Sequence, residues 1–207
     1  MTVLALVLYV AFAAVAFGWR TWVQWRQTGD TGLRLHAEAG TTQWWAKLGF
    51  VAALVAGFAA PIAGLAGLDA ITLLDNATVQ VVGLALAVAG IVATTAAQMR
   101  MGASWRIGVD PAERTGLVTG GIFALVRNPI FTAMLVTALG LTLMVGNVIS
   151  LAGLAALFAA LEVQVRFVEE PYLRTVHGPD EYKARKGGEA EQIPSADILS
   201  FLQAKLA

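Results

Sequence analysis

Five long apolar runs constrain this chain more than any other feature. Val3 to Trp19 carries no charged side chain over seventeen residues, and runs at about Ala46 to Leu68, Ala77 to Ala97, Pro129 to Val145 and Val148 to Val165 repeat the pattern. A bilayer core about 30 Å thick needs roughly 20 apolar residues of helix. Each run therefore reads as a transmembrane helix, and the chain as an all-α integral membrane protein with five transmembrane helices. With 57% hydrophobic and 14% charged residues among 207, a water-soluble surface cannot be built. The first run follows no Lys or Arg and precedes no small-residue cleavage pattern, so it reads as a span and not as a removed signal peptide.

Charge placement tests this count independently. Arg20, Arg26, Arg34 and Lys47 lie between the first two spans, and Arg100, Arg106, Arg114 and Arg127 between the third and fourth; the rest follow the fifth span or sit in its last turn. All fourteen Lys and Arg thus fall on one side, while Asp69 and Asp75 lie on the other. Cytoplasmic loops hold the cations, so the N-terminus is expected outside, the C-terminus in the cytoplasm, and the protein in the cytoplasmic (inner) membrane as a multi-pass chain. Trp19, Trp22, Trp25, Trp44 and Trp45 flank the first cationic loop, where indole rings favour the headgroup layer. The net charge is zero, which leaves no basic field for nucleic acid. There is no cysteine and there are two histidines, so metal and thiol chemistry are not expected.

Three regions follow from the pattern: a three-span part, 1–98; a core, 99–186, with its site on the cytoplasmic face; and a tail, 187–207, where Ser195 caps a short surface helix. Small-residue stretches such as Ala85 to Ala97 permit close helix packing within a monomer or a dimer alike, so the oligomeric state is left open. Gly146-Asn147 allows only a tight turn, so the fourth and fifth spans should form a hairpin whose far ends meet. One end is Arg127-Asn128-Pro129; the other runs from Arg166 to Tyr172. Glu162, Arg166 and Glu170 share one helix face at i, i+4, i+8. Facing lipid at mid-helix such charges would cost about 2.5–3.5 kcal/mol each, so the stripe should face protein or a polar cavity, as a functional cluster or as a salt-bridge ladder. Asn128-Pro129 is an ordinary helix start, but Arg127, Thr119, Gly120 and Gly121 beside it would seat a carboxylate well.

The segment Leu117-Val118-Thr119-Gly120-Gly121-Ile122-Phe123-Ala124-Leu125-Val126-Arg127-Asn128-Pro129-Ile130-Phe131 resembles the signature of isoprenylcysteine carboxyl methyltransferases, in which Gly-x-Tyr leads into Arg-His-Pro-x-Tyr. Arg166-Phe167-Val168-Glu169-Glu170-Pro171-Tyr172-Leu173, followed by His177-Gly178 and Tyr182, resembles that family's second motif. A related membrane group methylates phospholipid headgroups. The resemblance implies an S-adenosylmethionine-dependent membrane methyltransferase acting on a lipidic or prenylated acceptor, with membrane lipids as its other partners. It assigns Leu117, Val118, Thr119, Gly120, Gly121, Arg127, Asn128, Pro129, Phe131 and Glu169 to the cofactor, Arg166 and Glu170 to catalysis, and Trp105 and Arg106 to substrate. Asn128 stands where His is common, Phe123 and Phe131 where Tyr is, and Ala133 where Gly is; Tyr182 is displaced by one residue. Two other readings share parts of this pattern: an NADPH-dependent reductase of the sterol reductase type, and a degenerate, non-enzymatic membrane scaffold that has kept the fold.

Overall fold

The computed structural model describes residues 1–34, 36–108, 128–169 and 171. Five helices carry the chain back and forth: α1 Thr2–Thr28, α2 Thr42–Leu65, α3 Ala77–Arg100, α4 Pro129–Val145 and α5 Val148–Glu169. Among the described residues there is no strand, only one isolated bridge between Leu33 and Ile107. Four helices are long and apolar enough to cross a membrane. The other, α4, has 17 residues, about 26 Å at 1.5 Å per residue. The expectation of five spans is met in length by four, with a shorter apolar helix packed among them.

Each boundary has a local cause. Thr41, Asn76, Asn128 and Asn147 accept a hydrogen bond from a free N–H in the first turns of α2, α3, α4 and α5, which satisfies donors that a helix start leaves open. Pro129 opens α4 where its missing N–H costs nothing. Gly29 and Gly146 close α1 and α4 at φ 73 and 68, a left-handed conformation that favours glycine. The helices outrun the apolar stretches: α1 continues from Trp19 to Thr28, and α5 beyond Val165 to Glu169. Hydropathy marks only the apolar part of a helix, not its polar last turns. The first extension follows a π-helical turn, Ala14–Trp19, and the second lies within one, Gln164–Glu169.

Packing is set by small residues. A Cβ added at Gly83 would stand 2.7 Å from the Gly140 carbonyl oxygen, one at Gly90 would stand 2.6 Å from the Thr137 nitrogen, and one at Gly140 would overlap the Ala87 backbone. Glycine lets α3 and α4 meet backbone to backbone, the usual device where lipid removes the hydrophobic drive for helix association. In the same way α5 lies on α2, with Gly153 against Ala56 and Gly49 against Ala160. The hairpin of α4 and α5 closes at both ends. Near the turn Thr142 Oγ1 donates to the Ser150 carbonyl at 3.2 Å, and at the far end Asn128 Nδ2 donates to Glu169 Oε2 at 3.3 Å. Between these ends the helices part, because each is drawn to a different neighbour. They leave a small apolar cavity of about 50 Å³, lined by Tyr9, Phe12, Leu54, Met134, Leu141 and Leu157 among others.

Candidate functional site at the cationic end of the bundle

At the end where α1, α3 and α5 finish and α4 begins, two polar clusters form. In the first, Asn128 does two jobs. Its Oδ1 accepts from Phe131 N at 3.4 Å, capping α4, while Nδ2 reaches across to Glu169. The other Glu169 oxygen, Oε1, accepts from Gln164 Nε2 at 3.4 Å. Gln164 and Glu169 are five residues apart, a spacing that meets because the turn is π-helical: each residue bonds to the fifth one on. A carboxylate is thereby held beside the N-terminus of α4, where the helix dipole and free N–H groups favour negative charge. Phe131, one turn into α4, packs against Phe12, Ala16 and Met134 on one side and Ala53, Leu157 and Leu161 on the other.

The expected meeting of the hairpin's two polar ends is therefore present in Asn128 and Glu169. Of the stripe Glu162, Arg166, Glu170, the first two form the salt bridge that is one of its two expected readings, though both side chains are exposed where a protein wall is expected. Arg166 Nε pairs with Glu162 Oε2 at 2.6 Å, but the Arg166 side chain is 67% exposed and that of Glu162 40%. Each charge has the other as its partner at the helix end. Glu170 lies outside the described residues, as do Leu117, Val118, Thr119, Gly120, Gly121 and Arg127.

The second cluster joins α1 to the chain just after α3. Trp105 is 1% exposed, with the Arg20 guanidinium carbon 4.7 Å from its ring centroid. Arg106 Nη1 donates to the carbonyls of Ala103 and Trp105, both at 2.8 Å, and Arg106 Nη2 lies 3.9 Å from Asp30. Trp105 thus contacts α1, while Arg106 bonds within its own segment and reaches Asp30 in the loop after α1. Asp30 also binds Arg34 and accepts from Gly32 N at 3.0 Å. The Arg34 hydrogen bonds first, then that of Gly32, hold the Asp30 carboxyl well below the usual carboxylate range. Residue patterns missed Gln164, Arg20, Gln24 and Gln98. Polar side chains inside apolar helices are a signal in themselves, and each of these four is buried.

A membrane bundle with a hydrogen-bonded carboxylate at one helix start belongs to the class of multi-pass membrane proteins with a polar site at one face. Residues 78–180 match the phospholipid methyltransferase family, about half of the chain. The chain belongs to this family, which includes membrane methyltransferases of the isoprenylcysteine carboxyl methyltransferase kind. The match takes in α3, α4 and α5 and leaves α1 and α2 before it. No curated protein and no solved structure matches the chain with significance.

Proposed function

We propose that this protein is an S-adenosylmethionine-dependent methyltransferase with a lipidic acceptor, its site at the cytoplasmic face of the membrane and its N-terminus outside. One observation carries the reading beyond family membership: Asn128 and Glu169, 41 residues apart, are hydrogen-bonded to each other, and each belongs to one of the two motifs that resemble isoprenylcysteine carboxyl methyltransferases.

The chemistry of the described residues fits the cofactor. A carboxylate such as Glu169 accepts from an ammonium or from ribose hydroxyls, an amide such as Asn128 both donates and accepts, and an aromatic ring such as Phe131 offers a face to a cation or a flat base. Asn128, Phe131 and Glu169 would hold the cofactor, together with Leu117, Val118, Thr119, Gly120, Gly121, Arg127 and Pro129. When bound, it supplies a sulfonium-linked methyl group, which passes to a nucleophile's lone pair as the carbon–sulfur bond breaks and its electrons go to sulfur. The protein's part is alignment, since in-line displacement gains much of its rate from holding the reactants at near-attack distance. Arg166 and Glu170 are proposed for the acceptor: Arg166 orients a carboxylate, while Glu170 takes the proton from an amine or hydroxyl. Trp105 and Arg106 would act on the acceptor from the α1 side. Membership of the phospholipid methyltransferase family supports a lipidic acceptor.

Thermal unfolding of the detergent-purified protein tests this without knowledge of the acceptor. S-adenosylmethionine and S-adenosylhomocysteine should each stabilise it, by about 2.7 kcal/mol at a hundredfold excess over the dissociation constant. The effect should be lost in Glu169→Ala. Stabilisation by NADPH alone would favour a reductase, and no shift with any of the three would favour a scaffold.

A further inference from the structure

Gln164 is a polar side chain at the end of an apolar helix, and it is only 9% exposed. A buried amide in a span needs a partner inside the protein. Its Nε2 donates to Glu169 Oε1 at 3.4 Å, a contact that a regular α-helix would not bring about. At 3.6 residues per turn, side chains five positions apart point roughly 140° away from each other. The turn Gln164–Glu169 is π-helical, closing each residue onto the fifth one along, and so it carries both side chains onto one face. That face looks toward Asn128. On the other side of the same turn Arg166 and Phe167 are exposed, and Arg166 is paired with Glu162.

The Glu169 carboxylate is therefore held at both oxygens. Gln164 holds Oε1 from within α5, and Asn128 holds Oε2 from across the hairpin. Each amide is fixed by a different means. Asn128 is locked because its Oδ1 caps α4 at Phe131; Gln164 is locked by burial, in a turn that packs against α2. One hydrogen bond lets a carboxylate swing about its last torsion, whose energy well is broad. Two bonds on opposite oxygens set its plane. A binding site that must meet its ligand to within about 0.5 Å gains from such a second hold.

We propose that Gln164 is a positioning residue for the cofactor: it holds one oxygen of Glu169 in the π turn, with the other at Asn128, so that the carboxylate meets S-adenosylmethionine already oriented. The assignment rests on the reading of Glu169 as a cofactor residue. Gln164 itself lies two residues before the second motif and belongs to neither of the two. Its contribution is preorganisation. Without it, binding must order the carboxylate together with the ligand, and that ordering is subtracted from affinity.

The full chain in detergent is titrated with S-adenosylhomocysteine, which carries no methyl group to transfer, by isothermal calorimetry well below the melting temperature. Gln164→Met keeps the side-chain length and removes the donor. It should weaken binding roughly threefold to tenfold, the range for one ordinary hydrogen bond. A merely structural role would lower the melting temperature and leave the dissociation constant unchanged; that result would overturn the assignment and leave Glu169 a cofactor residue. Wild type that does not bind would instead overturn the cofactor reading, and the role of Gln164 with it. Ligand-free thermal unfolding of Gln164→Met, Glu169→Ala and the double variant checks the contact itself. The two losses should be less than additive, because removing Glu169 removes what Gln164 holds, and additive losses would overturn the hold. Should Gln164→Met fail to fold, Gln164→Asn keeps the amide and withdraws it by one methylene; its affinity must also fall below that of wild type, and an unchanged one overturns the assignment.

Discussion

Gly140→Ala adds one methyl group to the α3–α4 seam and should be among the most damaging single-carbon changes in the chain. The new Cβ would stand 2.6 Å from the Gly83 carbonyl oxygen and 2.8 Å from the Ala87 Cα, and it would overlap the Ala87 nitrogen. Ordinary contact begins at 3.4 Å, and the neighbours are backbone, so no rotamer can yield. The helices must separate by something approaching 1 Å, which forfeits a quarter to a half of the dispersion energy at each contact opened. Overpacking of a core costs about 1–3 kcal/mol, and this site belongs at the top of that range, about 3 kcal/mol even though alanine is the better helix former. Gly18→Ala is the control, since nothing lies within 4 Å of its added Cβ; it should be neutral or gain up to about 1 kcal/mol. Thermal unfolding in detergent reads the difference, which should lower the melting temperature of Gly140→Ala by roughly 6–12 °C at the slope for chains of this size. A Gly140→Ala protein that melts within a degree of the Gly18→Ala control would refute the glycine seam.

Asn147→Ala should destabilise by about 2–3 kcal/mol in the same assay, because a fully buried side chain caps α5 at Ser150 and donates to the Ala60 carbonyl of α2 at 2.8 Å. Asn128→Leu should cost about 1–2 kcal/mol as a lost cap and, on the proposed function, also abolish S-adenosylmethionine stabilisation; Asn128→Asp should keep the cap and still impair the ligand, since it sets a second carboxylate against Glu169. The Asp30 turn should respond to acid. Its carboxyl titrates below the ordinary value, so its contribution is complete above the ordinary carboxylate pKa, about 3.9, and fades as pH falls below that toward the lowered value. Hydrogen-exchange protection of the Arg34 amide, which donates to Ile107, should fall over that window in wild type and show no such step in Asp30→Asn.

The sequence showed the helices plainly and their neighbours poorly. Apolar runs located every helix, because apolar length is what a bilayer selects. Boundaries slipped where polar turns continue a helix, as from Arg20 to Thr28 in α1, and where Thr41 starts α2 ahead of its apolar run. The turn at Gly146-Asn147 correctly joined α4 to α5, and the meeting of Asn128 with Glu169 followed from that one connection. Which helices would share their broad faces did not follow. Gly83, Gly90 and Gly140 read only as small residues until their partners across the seam are known. The Arg20 cluster was hidden for a related reason: its bonds to Gln98 and Gly102 span 78 and 82 residues. The π-helical turn at Gln164–Glu169 was hidden too, because an α-helical period puts Glu162, Arg166 and Glu170 in register and says nothing of Gln164 with Glu169.

The central claim is that this bundle moves a methyl group onto a lipid. Membranes containing the protein are incubated with methyl-tritiated S-adenosylmethionine, extracted into organic solvent and counted, alongside membranes carrying Glu169→Ala at equal expression. The account predicts protein-dependent label in the lipid fraction and background label with the variant. Label that stays in the aqueous phase with wild type, or enters lipid equally with Glu169→Ala, would contradict it.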